Sequence, residues 1–86
     1  MIIVSQDKEE IVNFDNVESI WINVDGEGSF TVEATVNTNT TLGYYKTEER
    51  AKEVLQEISD VIECWENLKV GQPYGIPCFK YFMPED

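Results

Sequence analysis

"TEERAKEVLQEISDVIECWENLKVG", residues Thr47 to Gly71, decides how the rest of the chain must fold. Ala51, Val54, Leu55, Ile58, Val61, Ile62, Trp65 and Leu68 recur at spacings of three and four, the period of one helix face. Thr47 is placed as the N-cap, and Glu48 and Glu49 occupy the first turn, where carboxylates meet the positive end of the helix dipole. Gly71 and Pro73 stop the helix, the first by its backbone freedom and the second by lacking an N–H. A helix apolar along one stripe needs a surface to lie on. With 86 residues the chain has room for one domain and one modest core.

The surface comes from segments of period two. Ile2 to Ser5 reads as a strand, Gln6-Asp7-Lys8 as a polar turn, and Glu10 to Phe14 as a returning strand broken by Asp15-Asn16. From Glu18 to Val24, Ile20, Ile22 and Val24 share one face while Ser19, Trp21 and Asn23 share the other. Phe30, Val32, Ala34 and Val36 repeat that alternation against Thr31, Glu33 and Thr35. Between the two, Asp25-Gly26-Glu27-Gly28 suits a tight hairpin. Asn37 to Thr40 is a turn, Thr41 to Tyr45 a further strand, and Cys78 to Met83 a last strand ended by Pro84. The expected architecture is α+β: an antiparallel β-meander packed on one long amphipathic helix, with a C-terminal strand, in a single domain over 1–86. Trp65 falls on the apolar stripe and is read as core. Trp21 faces away from the helix, so either the C-terminal strand or a second subunit is expected to cover it.

Composition excludes chemistry more than it indicates any. There are 17 Asp and Glu against 6 Lys and Arg, no histidine, and a formal net charge of -11. Such a surface repels nucleic acid and anionic membrane. Without histidine there is no histidine base or triad, and two cysteines are too few for a structural zinc cluster. Gly26 and Gly28 do not make a phosphate loop, and Asp25 with Glu27 falls short of a calcium loop's ligand count. The expectation is therefore a protein that is not an enzyme, with no cofactor and no metal. Met1 to Val4 carries no basic leader and no segment approaches a membrane span, which points to a cytoplasmic protein without signal peptide. Cys64 and Cys78 are expected as buried, reduced thiols.

Two groups of residues remain as candidates. Glu49, Glu53 and Glu57 follow one another at intervals of four on the helix, and Asp60, Glu63 and Glu66 continue at intervals of three. Like charges so spaced cost roughly a few tenths of a kcal/mol per pair. They form either a solvated face or a surface for a basic partner. The scarce cations, in turn, stand beside aromatics: Tyr44-Tyr45-Lys46 enters the helix with Arg50 one turn inside, and Phe79-Lys80-Tyr81 lies in the last strand. Tyr45, Lys46, Arg50, Tyr74, Lys80 and Tyr81 are accordingly candidate ligand-binding residues for a small, nucleotide-derived anion. Glu48 and Glu49 oppose that reading at the helix start, and packing of the tyrosines on the core is its alternative.

The opening Ser5-Gln6-Asp7, the segment "YYKTEERAKEVLQEI" and the ending "FKYFMPED" together resemble a loosely defined group of small proteins encoded by phages and prophages. Tyr45, Thr47, Glu48, Glu49 and Ala51 fit that group's helix entry, and Phe82-Met83-Pro84-Glu85 its tail; Lys8 departs from it where glycine is expected. The resemblance implies a mobile-element accessory protein, often a counter-defence factor. Some such factors are oligomeric sponges that sequester a nucleotide immune signal; others are acidic inhibitors of a defence nuclease. A homo-oligomeric sponge is the first expectation here. An acidic inhibitor or nucleic-acid mimic using Glu49, Glu53, Glu57, Asp60 and Glu63 against a basic host protein is the second, and a phage assembly module the third; Trp21 is expected at the contact between subunits.

Overall fold

A computed structural model describes residues 1–71 and 80–86, with side chains through Asn67 and again from Lys80. The chain runs β1 (Ile2–Val4), β2 (Ile11–Asn13), a short 3-10 turn (Phe14–Asn16), β3 (Ser19–Val24), β4 (Phe30–Val36), β5 (Thr38–Tyr45), α1 (Glu48–Gly71) and β6 (Lys80–Phe82). The class is α+β, with strands packed against one long helix. At 1.5 Å per residue the 24 residues of α1 extend about 36 Å.

The strands form two sheets, because the 3-10 turn after β2 carries the chain away before β3 begins. The meander is β3-β4-β5, fully antiparallel. The other sheet has the order β2-β1-β6, with β1 and β2 antiparallel and β6 parallel to β1. Thus the C-terminal strand joins β1, and it does not pair beside Trp21 in β3. The expected strand from Cys78 is seen from Lys80; Cys78 and Phe79 lie outside the described residues.

Turn chemistry sets the registers. The Asp25 carboxylate accepts from the backbone N–H groups of Glu27 and Ser29, at 2.8 and 3.0 Å, and Gly28 takes a φ of 86°. Asn37, at φ 68°, reverses the chain so tightly that β5 begins at Thr38, ahead of the expected Thr41. Lys8, at φ 64°, adopts the left-handed backbone for which glycine is the usual choice. Asp7 compensates by accepting from the Ser5 hydroxyl at 2.6 Å and the Glu9 N–H at 2.9 Å.

The core lies where the two sheets and the helix meet. Ile3, Val32, Val54, Leu42 and Ile58 are its largest fully buried side chains, joined by Ala34, Ala51, Tyr45, Trp65 and Met83. Each such aliphatic contributes about 1.5–3 kcal/mol by leaving water. Pairing between β4 and β5 shifts at Val32/Glu33, so Leu42 is an extra residue at a bulge and is buried in its own right. Trp65 is buried, as the periodicity predicts. Cys64 is exposed, contrary to expectation, since one step from Trp65 turns it out of the apolar stripe.

Candidate functional site

The residues Tyr45, Arg50 and Tyr81 are brought together, but around a piece of the chain itself. Tyr45 ends β5 facing the core, and its hydroxyl donates to the Pro84 carbonyl at 2.9 Å. Arg50 donates from Nε to the Asp86 carbonyl at 2.8 Å and from a terminal nitrogen to Glu57 at 3.4 Å. The Tyr81 hydroxyl reaches Glu57 at 3.3 Å. Burial pushes the Tyr45 hydroxyl up to about 12, with Arg50 opposing and Glu57 reinforcing the shift. Tyr81 is raised further, by burial first and by the Glu57 carboxylate next. The pocket expected for an anion thus holds a carboxylate and two carbonyl oxygens.

Gln6 completes this clasp. Its backbone N–H donates to Leu42 at 2.7 Å, and its side-chain oxygen accepts from the Tyr44 N–H at 2.8 Å. Its amide nitrogen faces the carbonyls of Tyr44, Pro84 and Glu85 at 3.0, 3.1 and 2.8 Å. A side-chain amide therefore closes the free edge of β5 and ties the tail to it. Lys8 adds an exposed ion pair with Glu85 at 3.1 Å. Three stretches far apart in the sequence meet here, Ser5–Lys8, Tyr44–Arg50 and Pro84–Asp86. Nothing in composition or periodicity singles out Gln6, whose side-chain partners lie 38 to 79 residues away.

The other candidate ligand residues do not join the clasp. Lys46 is exposed and lines a hollow of about 660 Å³ at the start of α1, with Phe30, Thr47, Glu48, Glu49 and Lys52. Lys52 is occupied there by Glu48 at 2.9 Å, which raises its pKa. The Thr47 hydroxyl accepts from the Arg50 N–H at 3.1 Å, the N-cap bond. Lys80 is exposed on β6, and Tyr74 lies outside the described residues.

The carboxylates Glu49, Glu53, Glu57, Asp60 and Glu63 are all exposed along one side of α1. Among the described residues only Glu57 of these five has a cation, Arg50; Asp60 accepts from Gln56 at 3.0 Å. No group of three or more His, Cys, Asp or Glu among the described residues is placed to hold a metal ion. Among them, too, no helix is long and apolar enough to cross a membrane. Trp21 is half-buried on the outer face of its sheet, opposite Glu33. On the inner side of that strand, Phe14, Val17, Ile20, Leu55, Ile58 and Ile62 line a groove of about 280 Å³ that sequence reasoning did not find. The signal was there in part, since Leu55 and Ile62 sit at the margin of the helix stripe.

The chain matches no protein-family model, no curated protein and no solved structure.

Proposed function

We propose that the protein is a non-enzymatic binding protein that presents the carboxylate side of α1 to a basic protein partner, such as the groove of a nuclease. The observation that carries this reading is the exposure of Glu49, Glu53, Asp60 and Glu63 with no ion pair to any of them among the described residues, while Lys8, Arg50 and Lys52 pair with Glu85, Glu57 and Glu48. Repulsion along the row, relieved among the described residues only in part, by Arg50 at Glu57 and by Lys52 near Glu49, is relieved further by a basic surface, and the field of so acidic a protein speeds the encounter. The test compares proteins recovered by the wild-type chain and by the variant Glu49→Lys, Glu53→Lys, Asp60→Lys, after crosslinking in cells. A basic protein crosslinked through α1 and lost in the variant supports the reading; recovery unaffected by the reversal contradicts it.

Sequestration of a nucleotide-derived anion is the second reading, and the hollow beside Lys46 favours it. Phe30 offers a ring and Lys46 a charge with no ion pair among the described residues, against the opposing Glu48 and Glu49. Saturable binding of cyclic nucleotides or ADP-ribose derivatives, abolished by Lys46→Glu, is what this reading requires.

Self-association goes with the sequestration reading and rests on the outer face of the β2-β1-β6 sheet. Val4 there lies between Ile11, 70% exposed, and Phe82, 59% exposed, directly across the strands. Ile2, Asn13 and Lys80 are paired next to them, so the paired strand residues on that face among the described ones include no carboxylate, and it is there that two copies of an acidic chain repel least. A second copy is the occupant proposed for it.

A further inference from the structure

We propose that the open edge of β3 is a strand-addition site, which takes an extended segment alternating apolar and basic side chains. This names the part of the partner that is seized, and it rests on the preceding reading for the partner's positive charge.

The edge itself is the first observation. β3 lies at the margin of its sheet, paired among the described residues only with β4. Its six residues, Ser-Ile-Trp-Ile-Asn-Val, include no charge and no proline, in a chain that is 27% charged. Exposed edges are ordinarily blunted by lysine, proline, a bulge or a cover, because their free N–H and C=O groups template further pairing. The remaining edges are blunted or short: Gln6 closes β5 at Leu42 and Tyr44, and β2 and β6 have three residues each. β3 is uncharged along its whole length and pairs on one side only, whereas β5, the other margin of that sheet, is closed by Gln6 over its second half.

The groove is the second observation. It runs between the beginning of β3 and α1, with Ile20 on the sheet side and Leu55, Ile58 and Ile62 on the helix side. An added strand pleats like its neighbour, so alternate side chains point toward the helix, into this groove, and must be apolar. The intervening side chains point to the outer face, beside Trp21 and, one strand further, Glu33. An indole with a carboxylate behind it favours lysine or arginine by cation–π and charge attraction. Glu18, on the groove wall, and the net charge of -11 act in the same sense. Alternation of apolar and basic residues therefore follows from the two faces of β3.

The experiment is an amide and methyl NMR titration of the full chain with acetyl-Lys-Val-Lys-Ile-Lys-Val-Lys-amide. Saturable shifts are expected at the amides of Ser19–Val24 and at the methyls of Leu55, Ile58 and Ile62. Methylating alternate backbone nitrogens of the peptide, on the edge-facing side, should weaken binding at least about tenfold, since it removes the pairing hydrogen bonds. Ser59→Trp, an exposed change on the groove wall, should weaken it comparably while leaving the remaining spectrum in place. Shifts confined to the carboxylate side of α1 overturn strand addition and leave the helix-face reading standing. Insensitivity to methylation, absence of a saturable shift, or peptide-free concentration dependence at Ser19–Val24 also overturns it. Retention of the β3 shifts in Glu49→Lys, Glu53→Lys, Asp60→Lys supports strand addition even if the helix face proves inert.

Discussion

Gly43 has no room for a methyl group. A Cβ there lies 2.8 Å from the Tyr45 hydroxyl oxygen and 3.0–3.1 Å from two ring carbons, and that ring is pinned by its bond to Pro84. Gly43→Ala should therefore lower stability by about 1–3 kcal/mol in denaturant unfolding. The tyrosines set an alkaline limit. Tyr45 and Tyr81 are both raised, so the fold holds their neutral forms; that stabilisation is complete below about 10, where an unfolded tyrosine titrates, and is lost as pH climbs toward 12. Circular dichroism against pH should show unfolding in this window, shallower in Tyr45→Phe. A full-depth alkaline transition in that variant would assign the limit elsewhere. At this scale the sequence was partly legible. Ile58 and Trp65 follow from helical period, whereas the choice of Tyr45 over Tyr44 as the buried ring does not, because the bulge at Leu42 resets the alternation.

Elements were more readable than their assembly. The period of α1 and the alternation of β3 and β4 reflect short-range geometry, so their presence and inward faces could be inferred directly. Division into two sheets depends on where the 3-10 turn at Phe14–Asn16 sends the chain, and the parallel pairing of β6 with β1 joins the two ends of the molecule. Neither has a local signature. Ile58→Ala removes a wholly buried side chain from the middle of the helix stripe and should cost about 2–5 kcal/mol. Thr47→Ala, which deletes the cap, should cost about 1 kcal/mol. Deleting Met83–Asp86 takes away a buried methionine, the acceptor of Tyr45 and a partner of Arg50. The truncated chain should melt well below the intact one; an unchanged melting temperature would mean that the clasp is incidental.

For the whole molecule, the candidate site divided along the same line. The carboxylates Glu49, Glu53, Asp60 and Glu63 stand exposed as their spacing implies, since a helix face is set by period alone. The cation–aromatic group is divided, because Arg50 and Tyr81 meet Glu57 and the C-terminal tail while Lys46 and Lys80 stand apart, an arrangement that only the tertiary fold creates. Self-association through Ile11 and Phe82 predicts a mass above the monomer in light scattering, returning to the monomer in Phe82→Lys; a monomer at all concentrations would exclude it. Native mass spectrometry of the protein taken directly from cells reads what the acidic surface holds. A complex with a basic protein is expected, absent for Glu49→Lys, Glu53→Lys, Asp60→Lys. A chain carrying instead a small anionic molecule, retained by that variant and lost in Lys46→Glu, would contradict it.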